Sequence, residues 1–367
     1  MTVYFAGIVY FISIAVIFIL NRKKSVISYK DFSTHRKFLM GFAVVLIVVF
    51  HSVLYNSLNT DSRMVQAIAD FICFDFNIGV EIFLLVSGIG LYYSFSKGSI
   101  SFRKYYLKRV LNVYLIALII DLPYIIYTDL IFENKGFLYA ISEWTGLLNW
   151  SGESRIAWYV VFVMILYAVY PLIFKALKAT EKSKYSFIYI LLFYIVWVML
   201  CFAMNKTIPE IYSVIEIAVT RVPIFIIGCY IGQLVYNKAQ FTMKTYITCI
   251  AGIAIYVLLR SISGSLLSQR LSHCLISFVL CIIVLAIIQF LKLYKTSFYK
   301  AQCFIGNMSL EIYLIHMAGV LILQMNNCCS YISYYAMIAA VVPISIGVSK
   351  LRNIIVKKYV SGIKGRK

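Results

Sequence analysis

The chain has 367 residues, of which 62% are hydrophobic and 13% charged, and its formal net charge is +20. A soluble domain needs more polar surface than this, so the composition excludes an ordinary soluble protein. Apolar runs of about 20 residues recur along the chain, and each is long enough to cross a hydrocarbon core roughly 30 Å thick. Helices satisfy their own backbone in lipid, and no run shows the alternation of a barrel strand. We therefore expect an all-α, polytopic membrane helix bundle.

Eleven membrane spans are predicted in chain order. They cover about residues 3–20, 38–58, 72–94, 110–128, 156–174, 186–204, 214–236, 245–262, 272–291, 303–324 and 332–349. The first run has no basic region before it and is followed by the basic sequence NRKK, so we interpret it as a retained helix and not as a signal peptide.

The basic residues lie in short connections between apolar runs, and alternate connections carry most of them. This asymmetry follows the positive-inside rule, so we expect the N-terminus outside and the C-terminus in the cytoplasm. Because the charge does not form a soluble basic domain, we expect the partner to be the lipid bilayer and not nucleic acid. The longest connection, residues 129–155, then falls outside the membrane and is a candidate lid or substrate-contacting segment.

Ionisable residues inside spans are costly, so each one indicates a functional role by default. Thirteen residues lie between Lys37 and His51, which places His51 roughly 20 Å from the cytoplasmic end of its span. A general base and a structural, hydrogen-bonded histidine are both compatible with this position. Glu81 is interpreted as a counter-charge, an orienter of His51, or the structural partner of an arginine, and Gly88 as a helix-packing residue.

Two later spans also carry ionisable residues. Arg221 follows Glu216 by five positions, and either a local pair or an anionic or polar ligand is possible. Tyr313 and His316 are three positions apart and share a helical face, whereas Glu311 points away from His316. A pocket and a structural hydrogen bond both remain open there. The nine cysteines form no metal-binding spacing, so no metal is expected.

These segments, taken in order, resemble the acyltransferase-3 family of integral membrane acyltransferases. The family pattern contains an arginine eleven positions before a histidine, G-V-D/E-x-F-F-x-x-S-G, R-x-x-R, a W-Y/F span, R-x-x-x-F-x-x-G, and G-x-x-S-x-x-x-Y-L-x-H. The counterparts here are His51; Gly79, Val80, Glu81, Phe83, Ser87 and Gly88; Lys108 and Arg109; Trp158, Tyr159 and Pro171; Arg221, Phe225 and Gly228; and Gly306, Ser309, Tyr313, Leu314 and His316.

The resemblance covers roughly residues 32–345 and implies three parts of the chain. Residues 1–30 form an added N-terminal helix and basic loop, residues 31–350 form the acyltransferase-3-like membrane domain of ten helices, and residues 351–367 form a basic cytoplasmic tail. The implied location is a cell membrane, most simply the bacterial plasma membrane.

The implied activity is transfer of an acyl group, usually acetyl from acetyl-CoA, to a hydroxyl of an extracytoplasmic glycan or lipid-linked sugar. His51 is the implied base, with Glu81 as a second catalytic residue. The remaining assignments are acyl-CoA binding by Arg36, Lys37, Lys108 and Arg109, and acceptor or pocket contacts by Trp158, Arg221, Tyr313 and His316.

This chain departs from the family pattern at two positions. Met40 stands eleven positions before His51, and Asn112 stands at the second arginine of R-x-x-R. Arg36 and Lys37 lie one helical turn before Met40 on the same face and are candidates to substitute for the missing charge. A divergent member that uses another donor is an equally open interpretation. The alternatives that remain are an exporter of polysaccharide or lipid-linked sugar, and a catalytically degenerate or sensory member.

Overall fold

The computed structural model describes residues 2–24, 26–55, 63–74, 77–98, 101–150, 158–262, 265–328 and 330–361, and within these ranges it is helical without strands. The helices are α1 (Thr2–Lys24), α2 (Tyr29–Thr34), α3 (Arg36–Tyr55), α4 (Arg63–Phe74), α5 (Gly79–Ser96), α6 (Phe102–Arg109), α7 (Leu115–Ile125), α8 (Phe137–Trp144), α9 (Trp158–Thr180), α10 (Ser186–Thr207), α11 (Pro209–Val219), α12 (Val222–Tyr236), α13 (Met243–Ile262), α14 (Leu266–Phe290), α15 (Ser297–Asn307), α16 (Ser309–Met325) and α17 (Tyr331–Ser361). Two π-helical segments, Val110–Tyr114 and Ile126–Phe132, make α6 and α7 part of one long helix.

Among the described residues, ten helical segments are long and apolar enough to cross a membrane, and the pair α15–α16, broken at Met308, passes the same test together. This confirms the expected helical membrane protein. The predicted span 110–128 is longer in the structure, where it covers Phe102–Phe132. The final predicted span, 332–349, lies within a helix that continues to Ser361. Sequence patterns miss such extensions because polar helix ends lower the local hydropathy without ending the helix.

The described residues divide into two compact units. The first unit takes residues from 1–50, 58–98 and 174–307, and its most extensive helix contact is between α5 and α12. Glycines make this contact close: a Cβ at Gly88 would lie 2.5 Å from the carbonyl oxygen of Phe225, and one at Gly232 would lie 2.8 Å from that of Ile89. A Cβ at Gly228 would overlap the carbonyl of Leu85. The packing role predicted for Gly88 is therefore confirmed.

The same unit contains a second crossing of this kind, between α3 and α15. A Cβ at Gly41 would overlap the carbonyl of Gln302, and one at Gly306 would overlap the carbonyl of Lys37. Gly306 opens the last motif of the family pattern, and the structure gives it a steric reason, since the two helix backbones touch there.

The second unit takes residues from 51–57, 99–173 and 308–367. In it, α16 packs against α7 and α17. After the long helix ends at Phe132, the chain turns and α8 returns beside α7. The indole Nε1 of Trp144 donates to the carbonyl oxygen of Leu118 at 2.8 Å, and the hydroxyl of Tyr114 donates to the carbonyl oxygen of Thr145 at 3.0 Å. The described part of the predicted connection, residues 129–150, thus has helical structure of its own, and residues 151–155 lie outside the described residues.

Candidate active site

Two histidines from different helices meet in the second unit. His51 lies on α3 and His316 on α16, and the Nδ1 atom of His51 is 2.9 Å from the Nε2 atom of His316. The ring centroids are 4.9 Å apart. His316 is fully buried, whereas His51 is partly exposed. The sequence singled out both residues and placed them at a similar depth, but it did not predict that they touch.

The hydrogen-bond pattern assigns a tautomer to each ring. Nδ1 of His316 lies 3.1 Å from the carbonyl oxygen of Tyr313, and a carbonyl oxygen only accepts, so Nδ1 of His316 carries the proton. In the neutral ring Nε2 of His316 then has a lone pair and accepts a proton from Nδ1 of His51. Consequently Nε2 of His51 is the nitrogen that keeps a lone pair, which is the atom a general base uses.

Aromatic rings extend from the histidine pair. Tyr313 contacts Tyr159 edge to face with ring centroids 5.4 Å apart, and Trp158 packs edge to face on Tyr159 at 5.9 Å. Tyr313 also lies beside His316, with centroids 6.5 Å apart. The structure therefore groups four predicted site residues: His51, His316, Tyr313 and Trp158. Tyr159 joins them and was not among the predicted site residues, although its place in the W-Y pair was a usable signal.

Glu81 and Arg221 belong to the first unit and bind each other. Nε of Arg221 is 2.8 Å from Oε1 of Glu81, and both side chains are almost fully buried. Nη1 of Arg221 also donates to the carbonyl oxygen of Ile217 at 2.7 Å. Of the three interpretations given for Glu81, the partnership with an arginine is the one observed. The catalytic role of Glu81 and the ligand role of Arg221 stay predictions.

A second ion pair involves Glu216 of α11, five residues before Arg221. Nη1 of Arg270 is 3.0 Å from Oε2 of Glu216. The local pair considered for Arg221 and Glu216 is thus replaced by two pairs that join different helices, Glu81–Arg221 and Glu216–Arg270. Removing only one partner of a buried ion pair strongly destabilises the fold, because the other charge is left buried and unpaired. Such pairs therefore fix which helices are neighbours.

The structure also pairs Glu311 with a residue that the sequence analysis left in the tail. Nη1 of Arg352 is 2.8 Å from Oε1 of Glu311, which is fully buried on α16. Nη2 of Arg352 donates to the hydroxyl of Ser349 at 3.1 Å. A carboxylate inside a membrane span indicates that a cation lies beside it, so Glu311 was a usable signal. The sequence did not identify Arg352, the arginine of α17, as that cation, because the pairing depends on how α16 and α17 pack.

The basic residues predicted to hold acyl-CoA fall into two pairs. In the first unit, Arg36 and Lys37 begin α3 and are exposed, and the guanidinium of Arg36 runs along Gly90, where a Cβ would lie 3.6 Å from Cζ. In the second unit, Lys108 is exposed and Arg109 is partly buried.

Arg109 is held by aromatic rings, with its Cζ 4.8 Å from the ring centroid of Tyr167 and 5.5 Å from that of Tyr105. Asn112, which replaces a family arginine, donates from Nδ2 to the carbonyl oxygen of Lys108 at 2.7 Å. Its amide therefore satisfies a backbone carbonyl beside the π-helical segment Val110–Tyr114, a role that requires no charge.

Comparison with known proteins gives a family match. The family model for the acyltransferase domain of the acyltransferase-3 type matches residues 38–349. No curated protein and no solved structure matches the chain. The matched range contains both histidines and the aromatic residues beside them, and it begins just after Arg36 and Lys37.

Proposed function

Because the chain belongs to the acyltransferase-3 family, we propose that it is a membrane O-acyltransferase that moves an acyl group, with acetyl as the first candidate, from cytoplasmic acyl-CoA to a hydroxyl of an extracytoplasmic glycan or lipid-linked sugar. The observation that carries this proposal is the His51–His316 pair, since its hydrogen bonds direct a lone pair onto Nε2 of His51.

In the proposed reaction, Nε2 of His51 removes the proton of the acceptor hydroxyl while the oxygen attacks the thioester carbonyl. The new C–O ester bond forms, the C–S bond breaks, and the coenzyme A thiolate leaves. The proton on His51 then returns to the thiolate, so the histidine is regenerated. His316 remains hydrogen-bonded to Nδ1 of His51 and stabilises the imidazolium that forms between these steps.

The basic residues support a donor with phosphate groups. Arg36, Lys37, Lys108 and Arg109 lie in helix segments whose basic residues the charge asymmetry assigns to the cytoplasmic side, and guanidinium and ammonium groups bind phosphate well. Arg36 and His51 are fifteen positions apart on α3, which corresponds to about 22 Å of helical rise. The phosphate-bearing end of acyl-CoA is therefore able to bind at the start of α3 while its thioester end lies near the other end of the same helix.

The test of the chemistry compares ester-linked acyl groups on the cell-surface glycan in a deletion strain that expresses wild type, His51→Ala or His51→Gln. We expect the esters to disappear with either variant while the glycan is still exported. His273→Gln is the matched control, because His273 is also buried in a helix but lies on α14, which carries none of the predicted site residues. Loss of the polymer itself would indicate an exporter, and unchanged esters in His51→Ala would refute the assignment of the base.

The test of the donor site uses purified protein and the release of coenzyme A thiol. Replacing Arg36 and Lys37 together with glutamine should raise the KM for acetyl-CoA and leave kcat nearly unchanged, because phosphate contacts are made equally in the ground state and transition state. The control replaces Lys182 and Lys184, which are exposed in the connection after α9. An unchanged KM would show that the donor is held elsewhere.

A further inference from the structure

We infer that residues 133–147 form a re-entrant hairpin whose returning arm, residues 137–147, lies inside the bilayer with its outer face in contact with lipid acyl chains, and do not form an extracytoplasmic loop. This inference is independent of the proposed acyl transfer. It rests on the depth at which α8 is bound to the long helix before it and on which of its side chains are buried.

The depth follows from the length of the long helix. The segment Phe102–Phe132 has 31 residues, and a hydrocarbon core of about 30 Å takes about 20 residues of helix. Any window of about 20 residues within this segment includes residues 113–121. Tilting the helix lengthens the window and leaves this range inside it. Residues 113–121 therefore lie at hydrocarbon depth wherever the membrane boundaries fall.

The tip of the hairpin is hydrogen-bonded to this part of the helix. Trp144 donates to the carbonyl oxygen of Leu118, and Thr145 accepts from the hydroxyl of Tyr114. Leu118 and Tyr114 are both within residues 113–121, fourteen and eighteen positions before the helix ends at Phe132. The chain that leaves the helix at Phe132 thus returns along it to hydrocarbon depth.

The turn that starts the hairpin is held by two left-handed backbone positions, a backbone hydrogen bond and an ion pair. Asn134 and Gly136 have φ angles of 51° and 86°, and the amide of Lys135 donates to the carbonyl oxygen of Asp129 at 2.7 Å. Nζ of Lys135 is 2.7 Å from Oε2 of Glu133. These contacts reverse the chain within four residues, so α8 starts beside the end of the helix that it follows back.

The burial pattern of the hairpin is the reverse of that of a water-exposed helix. Phe137, Leu138 and Leu147 are 69%, 81% and 72% exposed, whereas Glu143 is only 3% exposed. A short helix in water would bury its large apolar side chains and expose its carboxylate. Apolar side chains outside and a carboxylate inside are stable when the surrounding medium is hydrocarbon. The occupant of this outer face is therefore lipid acyl chains.

Lipid-exposed backbone is tolerated at this depth only if its polar groups are satisfied. The described hairpin meets this condition at its deepest point. The carbonyl oxygen of Thr145 accepts a hydrogen bond from the hydroxyl of Tyr114, and the amide of Thr145 donates to the carbonyl oxygen of Ile141 at 2.9 Å. The hairpin also braces α7, which packs against α16, the helix of His316.

The experiment measures depth by spin labelling in proteoliposomes. Single cysteines are placed at Leu138 and Leu147 in a chain whose nine native cysteines are replaced, and collision with oxygen is compared with collision with a water-soluble nickel complex. Ile119→Cys, half-buried on α7 and within residues 113–121, is the hydrocarbon control, and Lys182→Cys is the aqueous control. We expect oxygen collision to be favoured at 138 and 147, as it is at 119. Labels that match position 182 would overturn the inference.

A second measurement keeps all native cysteines, in case their replacement prevents folding. Leu138→Trp is reconstituted with phosphatidylcholine that is brominated on its acyl chains, and its added fluorescence is compared with that of wild type. Quenching of the added fluorescence supports the re-entrant hairpin. Fluorescence that is insensitive to brominated lipid but is quenched by aqueous iodide would refute it.

Discussion

The most informative perturbation removes His316 and leaves His51 in place. In His316→Ala, Nδ1 of His51 loses the acceptor at 2.9 Å, and the imidazole is no longer held in the tautomer that directs a lone pair onto Nε2. A buried donor left without its partner costs about 1–3 kcal/mol. Because about 1.4 kcal/mol is a tenfold change in rate, we expect kcat to fall by about 5- to 150-fold. The loss should be smaller than that for His51→Ala, since general bases contribute about 100- to 10,000-fold.

The matched variant is His316→Gln, whose amide oxygen is able to accept the proton of Nδ1 of His51. We expect it to recover a large part of the lost kcat, while the KM for acetyl-CoA stays near that of wild type in both variants. The assay is thiol release by purified protein of equal monodispersity, supported by nitrogen NMR of labelled histidine to report the tautomer. Equal kcat for wild type and His316→Ala would refute the positioning role. Equal losses for alanine and glutamine would show that His316 acts by packing alone.

Three further predictions concern stability, measured as the melting temperature of the purified protein. Gly228→Ala should destabilise the α5–α12 crossing, because its Cβ would overlap a neighbouring carbonyl, whereas Gly252→Ala has only ordinary contacts at 3.6 Å and 4.0 Å and should be nearly neutral; similar effects would contradict the steric argument. Arg221→Met should cost about 3–5 kcal/mol by leaving Glu81 buried and unpaired, and the double variant with Glu81→Met should regain most of it. A double variant as unstable as the single one would exclude this explanation. Burial lowers the pKa of His35, so the unfolded chain binds more protons below about pH 6.5 and acid weakens the fold. His35→Gln should therefore flatten the fall in melting temperature between about pH 7 and pH 5, and an unchanged slope would assign the fall to other groups.

The amino-acid sequence determined the class of the protein and the residues worth testing. Apolar runs of membrane length recur because every span needs them, so the helical membrane fold was predictable from composition and length alone. His51 and His316 were identifiable because an ionisable group in a hydrocarbon environment is costly and is kept for a reason. The order and spacing of the motifs indicated the family, which the match to residues 38–349 confirmed.

Only the tertiary structure decided which of these residues are partners. Glu81 was equally compatible with orienting His51 and with pairing an arginine, and the fold gave it Arg221. Arg352 looked like part of a basic tail until its helix placed it beside Glu311. The physical reason is that the spacing along a helix fixes the face and depth of a side chain, but its partner on another helix depends on how the helices pack. For the same reason the sequence marked residues 129–155 as a loop, and only the hydrogen bonds to Tyr114 and Leu118 showed that part of it returns along the preceding helix.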